Sequence, residues 1–475
     1  MAQAKGSSLA DWYLSAFPAV RPELGLPFGG FGPRGGPARA ARAAQAARWL
    51  EETKDGPGMR LARRALRQAQ DSEAAGLAEA VLACLVQAEL QGAGRDAVCR
   101  AVVSTLAGEV AAGEDPRALD QAARAAALAA GLLLAVGAEP ERAAEGEPGA
   151  EAFMALEGFV RAVDAARGAA AARPAIGPHA VYDLLRAETG LAVAPKELAE
   201  AAMVRLEAEL VEVGRLAREI APGADLATIL GDLAEDRPES PQELMAAYEA
   251  AQAEVLAAVG EDFPDVRPPS LAPGPAQLHG LLPLAAYQPG PFAGGRGRML
   301  VFAGQGPMQA MHMRARLPLT TAQVGVPGSH LLFSLLPAGD LLGRLEVSPY
   351  VASAWSGYAA AYVAARLDRP KVRLLAALDA ASAAARAFAD VALHAELAGE
   401  ERILAVLGRP QGLPDEFGRA ELRALWRLPL AAAGPFALAE AFGDEVRQRA
   451  AGGESPRAAH QAILDRGGMP EEVAG

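Results

Sequence analysis

The sequence predicts a mainly α-helical protein, and three observations carry that expectation. Alanine-rich runs punctuated by Leu, Glu and Arg recur along the 475 residues and favour helix. Aromatic residues make up only 5% of the chain, and runs of Val, Ile and Thr are few, which disfavours an extensive sheet. Apolar positions recur at steps of three and four, the spacing that gives a helix one buried stripe.

Taken in order, the amino terminus (M-A-Q-A-K-G-S-S-L-A-D-W-Y-L) has no apolar h-region, so no secretory signal is expected. A Gly/Pro cluster at residues 27–37 reads as loop. Helical patterns follow to about Gly137. They include the basic run R-L-A-R-R-A-L-R at 60–67, whose periodic leucines suggest a solvated helix face. The polar, breaker-rich residues 139–149 divide an N-terminal helical region, 1–150, from a larger helical domain, 151–475. In the second unit a long helix starts at Pro195, carries Leu198, Ala202, Leu206, Leu210, Val213, Ala217 and Ile220 on one side, and stops before Pro222. Another opens at Ser240-Pro241, with Glu243 placed to complete a capping box, and closes at Gly260. The proline-rich stretch 264–292 reads as an extended strap. Residues 299–303 (M-L-V-F-A) and 311–316 (M-H-M-R-A-R) are the strand candidates for a small sheet. From Thr320 the pattern is helical to the end, with Ser455-Pro456 opening the last helix and Gly467-Gly468 ending it.

Charge and cysteine content narrow the function classes. With 58 acidic and 45 basic side chains the formal charge is −13, which disfavours nucleic acid and anionic membrane surfaces as partners. The longest uncharged apolar run, 125–138, has 14 residues, short of the roughly 20 a membrane span needs. Cys84 and Cys99, both in helical sequence, read as buried thiols rather than a disulfide framework. A cytoplasmic protein is the expectation. No Walker motif, CxxC pair or nucleic-acid module is present, and Gly304-Gln305-Gly306-Pro307 and Gly294-Gly295-Arg296-Gly297 read as turns or loops.

Residues 320–332 read T-T-A-Q-V-G-V-P-G-S-H-L-L. The segment resembles H-E-x-x-P-G-H-H-L-Q, the signature of the bacterial family called domain of unknown function 885, regarded as zincin-like metallohydrolases or peptidases. Further segments are similar to family motifs in the same order. They are 282–302 before the histidine motif, 177–199 leading into the long helix, S-G-Y-A-A-A-Y-V at 356–363 against E-G-W-A-L-Y-A-E, and R-A-F-A-D-V-A-L-H at 386–394 against R-L-V-V-D-x-G-x-H. Nearer the end, 434–443 resembles P-G-Q-A-L-A-Y-K-x-G and 460–470 resembles H-D-x-x-L-x-x-G-x-x-P. The resemblance covers about 175–475, with a looser echo at 12–27, and implies a helical zincin-like domain.

The departures from those motifs bear on chemistry. A zinc hydrolase needs imidazoles and a carboxylate on the metal and a glutamate to take a proton from the bound water. Here Gln323 and Val324 stand at the first histidine and the glutamate, Ser329 at the penultimate histidine, Ser356 and Val363 at both acidic positions of the second motif, and Glu440 and Ala441 at the later tyrosine and lysine. The expectation is therefore a catalytically inactive homologue with no metal and no cofactor, keeping a cleft for a small carboxylate or peptide ligand or acting as a structural or regulatory partner. The alternative is an enzyme using other residues. Ser329 and His330 are sequence neighbours about 100° apart on a helix and cannot pair as nucleophile and base. The six histidines show no H-x-x-x-H or H-x-x-H spacing. Arg386, Asp390 and His394, at i, i+4 and i+8, share one helix face, with Asp390 placed to accept from both neighbours. Either that face is solvated or it lines the cleft. The vestigial-cleft residues are thus Gln323, Ser329, His330, Ser356, Tyr358, Arg386, Asp390 and His394.

Overall fold

A computed structural model describes residues 2–17, 36–53, 58–70, isolated positions between 150 and 161, and 175–469 apart from 276–283, 291–296, 304–306, 337–340 and 411–414. The glycine/proline cluster up to residue 35, the helical patterns of 71–137, both cysteines, the 139–149 boundary and the glycine turns at 294–296 and 304–306 lie outside the described residues.

The fold is mainly helical. Helices α1 (Ala2–Ala16), α2 (Gly36–Thr53) and α3 (Met59–Gln70) form a separate apolar cluster around Leu9, Tyr13, Ala46, Leu61 and Ala65. The basic run on α3 does more than face solvent. Leu61, Ala62 and Ala65 are buried, and Arg64 donates from Nη1 to the carbonyl of Leu345, so one face of this helix is packed, with Arg64 at the seam.

The larger core surrounds α4 (Pro178–Thr189), α5 (Pro195–Ile220), α6 (Leu226–Glu235) and α7 (Pro241–Val259). Local chemistry sets their ends. Pro195 and Pro241 occupy first-turn positions, Asp225 accepts from Thr228 N–H at 2.7 Å, and Ser240 accepts from Glu243 N–H at 3.1 Å. Glu243 reaches one residue further back than a capping box requires, accepting from Glu239 N–H at 2.9 Å. On α5, Leu198, Ala202, Leu206 and Val213 are buried as the stripe predicts.

The sheet corrects one expectation. Strand β3 (Arg298–Val301) matches the first candidate, but 311–316 forms turns, with Arg316 N–H returning to Met313 O at 2.8 Å. The partners of β3 come from the proline-rich strap: β1 (Ser270–Pro273) runs parallel to it and β2 (Ala285–Gln288) antiparallel, in the order β1-β3-β2. Prolines are tolerated there because both strap segments are edges, and Pro273 ends its strand. The alternation in M-H-M-R-A-R arises because His312 turns inward, its Nε2 donating to Phe302 O at 2.8 Å.

After the short α8 (Pro307–Ala310) come α9 (Leu317–Val324), α10 (Ser329–Ser334), α11 (Leu341–Glu346), α12 (Pro349–Arg366), α13 (Pro370–His394), α14 (Glu400–Gly408), α15 (Asp415–Arg427), α16 (Ala433–Ala451) and α17 (Pro456–Asp465). Helix α13 is the central element. Its buried residues, from Val372 to His394, face every direction, and its alanines let α5 pack closely along it. Ser455 caps α17, accepting from Ala458 N–H at 3.2 Å, and Gly467 and Gly468 with positive φ follow its end.

Candidate functional site

The turn between α9 and α10 is built on a glycine. A Cβ on Gly328 would lie 2.1 Å from Gln323 O and 2.2 Å from Ala322 O, so the chain folds back onto the end of α9 only because no side chain is there. Trp355 of α12 holds the turn from the other side, its indole Nε1 donating to Pro327 O at 2.8 Å. Two residues past Pro327 and one past Trp355, the clamp brings two hydroxyls into contact: Ser329 Oγ and Ser356 Oγ are 2.9 Å apart, although 27 positions separate them. Both are half-buried, as is Gln323. Val324, at the position of the resembled glutamate, packs against the apolar cluster of Leu244, Tyr248 and Met299.

His330 is buried and faces the strap. Its Nε2 donates to Arg267 O at 2.8 Å, which leaves Nδ1 to accept from the Tyr287 hydroxyl at 3.3 Å. Ser334 Oγ lies 3.3 Å from both ring nitrogens. A point equidistant from the two must sit over the ring face rather than on a lone-pair axis, so Ser334 and His330 are not aligned as nucleophile and base.

Behind Ser356 lies an aromatic and histidine cluster. Tyr358 donates to His460 Nε2 at 2.8 Å, and His460 Nδ1 donates to Asp262 O at 2.6 Å. The imidazole stacks on Phe263 with centroids 4.0 Å apart. Burial pushes the His460 pKa down to about 4, so the ring is neutral at pH 7. Burial likewise raises the Tyr358 phenol, with Arg447 and Arg366 close enough to oppose the shift. Tyr362 donates to Asp262 Oδ2 at 2.9 Å beneath the Arg366 guanidinium. His460 and Trp355 stand within or beside motifs of the resemblance, but spacing in the chain did not single them out.

Arg386, Asp390 and His394 share a helix face, yet they do not form the expected ladder. Arg386 Nε pairs with Glu421 at 2.9 Å and both side chains are about half exposed. Asp390 is fully buried, and its carboxylate accepts backbone N–H groups from Leu430 (2.9 Å), Ala432 (2.8 Å) and Ala433 (3.1 Å), capping the start of α16 from a different helix. Burial raises its pKa to about 6, against the lowering effect of those donors and of Arg386. His394 Nε2 donates to Leu425 O at 3.0 Å and lies 3.7 Å from Asp390 Oδ1. Seven of the eight sequence-predicted residues therefore fall into two groups, Ser329 with Ser356, Gln323, His330 and Tyr358 around the α9–α10 turn, and Asp390 with His394 at the end of α13, while Arg386 stands apart in its pair with Glu421.

Two hydroxyls and an amide do not supply the imidazole, thiolate or carboxylate donors zinc takes, and the one imidazole at the turn, His330, directs its ring nitrogens to Arg267 O and Tyr287. Among the described residues no three His, Cys, Asp or Glu side chains come together as metal ligands would. The residues at this turn do not fit that metal.

The family model of bacterial proteins of unknown function, DUF885, matches residues 38–474, and the chain belongs to that family. Two solved structures share the fold. One, a lipoprotein candidate of unknown function from Shewanella oneidensis, superposes with a TM-score of 0.72 at 12% identity, covering 100% of this chain and 99% of that one. The other, a lipoprotein candidate from Colwellia psychrerythraea, gives 0.57 at 13% identity over 86% and 77%. At such identities the likeness concerns the fold alone. No curated protein matches the chain.

Proposed function

We propose that this member of the DUF885 family is a catalytically inactive relative of zinc-dependent hydrolases that retains a cleft for a peptide or a small carboxylate ligand. One observation carries the reading: the Ser329–Ser356 hydrogen bond of 2.9 Å. The resemblance places a histidine at the first position and a glutamate at the second, and in this fold the two side chains meet. Their convergence supports the correspondence between this turn and a metal site, while their hydroxyls cannot replace its ligands. Ligand recognition would fall to Gln323, Ser329, Ser356 and Tyr358, with Arg447 and Arg366 as the cationic groups near Tyr358. Asp390, His394 and Arg386 would support this wall only from a distance. No described helix is long and apolar enough to cross a membrane.

The test is zinc content and hydrolysis in two proteins. The parent should carry no stoichiometric zinc and cleave no peptide or ester above background. A quadruple variant, Gln323→His, Val324→Glu, Ser329→His and Ser356→Glu, should acquire about one zinc if these positions descend from a metal site. Tight zinc in the parent, lost with activity on chelation, would refute inactivity. A folded quadruple variant with no affinity for zinc would refute the correspondence.

A further inference from the structure

The carboxyl end of α13 carries a residue that local physics disfavours twice. Ala395 N–H returns to Val391 O at 2.8 Å and Leu397 N–H to Ala392 O at 3.0 Å, a stop that places the residue between them in the left-handed region. That residue is Glu396, with φ 57°. Glycine usually occupies such a position because a Cβ is strained there. A carboxylate is also of the wrong sign, since the last carbonyls of a 25-residue helix already present partial negative charge.

Glu396 lines a hollow of about 350 Å³, together with Leu393, His394, Ala398 and Trp426. The size lies within the range of small-molecule sites, about 300–1,000 Å³. Glu396 is the one acidic side chain among the described lining residues, and Gly399, which precedes α14, completes the rim. The end of α13 and Glu396 are negative, and Glu400 and Glu401 open the next helix beside it. Among the described lining residues the only nitrogen base is His394, and its Nε2–H is given to Leu425 O. Arg386, which the spacing offered as an anion partner, is paired with Glu421.

We propose that this hollow binds a small organic cation, a primary amine or a quaternary ammonium. Glu396 is its counter-ion, the carbonyl end of α13 adds negative potential, and Trp426 supplies an aromatic wall of the kind that receives ammonium groups. This explains why a strained glutamate stands where glycine would be easier. The site is separate from the α9–α10 turn and does not depend on the reading given to that turn.

The full-length protein is titrated with tetramethylammonium chloride and with butylammonium chloride, using sodium chloride at matched ionic strength and sodium butyrate as controls, and thermal unfolding is followed. Either ammonium should raise Tm saturably, and neither control should. Glu396→Gln keeps the backbone conformation and the side-chain length but removes the charge, so it should weaken the apparent affinity roughly two- to fivefold, the worth of one exposed ion pair. Because Glu396 is on the surface, this variant folds. A parent that shows no saturable shift with either ammonium, an equal shift with butyrate, or an unchanged affinity in Glu396→Gln would each overturn the proposal.

Discussion

Replacing Asp390 should cost far more stability than replacing Arg386, although the two are one helical turn apart on the same face. The magnitude follows from their partners. Asp390 is fully buried and accepts three backbone N–H groups at 2.8–3.1 Å. In Asp390→Ala those donors lose their acceptor inside the protein, each stranded donor costs about 1–3 kcal/mol, and relaxation recovers a part, leaving about 3–5 kcal/mol. Arg386→Ala removes a pair with Glu421 that is about half exposed, worth about 0.5 kcal/mol after solvent screening. Urea unfolding followed by circular dichroism at pH 7 measures both. The Asp390→Asn variant adds a pH signature. The folded-state pKa of Asp390 is raised to about 6 from an ordinary 3.8, so the folded protein holds this proton more tightly than the unfolded chain. Its contribution is fully present below about pH 4 and is lost as pH rises through about 6, a difference of about 3 kcal/mol. The asparagine variant lacks that gain, so its deficit against the parent should widen as pH falls from 6 to 4. Equal costs for Arg386→Ala and Asp390→Ala would refute the reasoning, as would an asparagine deficit that narrows in acid.

Three further outcomes are expected. His460 has the opposite sign: its pKa is lowered from 6.5 to about 4 by burial, so its contribution is present above pH 6.5 and lost as pH falls through about 4, and the cost of His460→Gln, read from urea midpoints, should shrink in acid. Gly328→Ala drives a Cβ to within 2.1 Å of a backbone carbonyl and should destabilise by about 3 kcal/mol in chemical denaturation; a loss below about 1 kcal/mol would mean the turn is not held as described. Glu396→Gly relieves a left-handed side chain and should raise Tm, by about 1 kcal/mol in stability once the entropy of glycine is offset, whereas a lower Tm in calorimetry would show that the glutamate stabilises the fold.

The elements legible in the sequence are those whose cause is local. Pro195, Ser240-Pro241 and Ser455-Pro456 start helices because capping is chemistry between a residue and its third neighbour, and the sequence contains both partners. Strand pairing is not of that kind. Residues 311–316 alternate as a strand would, yet β3 found its neighbours in the strap, where Pro273 and Gln288 lie on edges that no periodicity marks. The same limit applies to the candidate site. The spacing of Arg386, Asp390 and His394 gives their common face correctly, but spacing cannot say what packs there, and the partners of Asp390 lie 40 to 43 residues onward.

Ser329 and Ser356 became a pair only through a resemblance, and what surrounds them argues that the departures from the motif form one coherent set. A metal neutralises its ligands, so a site that loses the metal but keeps a buried glutamate and two imidazoles is left with polar groups lacking partners, at a cost of about 1–3 kcal/mol each. Under the proposed correspondence one ligand position would answer another, Ser329 to Ser356, and the position of the base would be Val324, packed against the cluster of Leu244, Tyr248 and Met299. Trp355 on Pro327 and His330 on the strap hold the turn through the protein's own hydrogen bonds. Reverting Val324→Glu alone should therefore destabilise, because it sets a carboxylate against an apolar cluster with no metal to receive it. The same substitution within the quadruple variant should cost less when zinc is supplied than when it is withheld. Equal unfolding midpoints for that variant with and without zinc would show that the four positions do not act as one site.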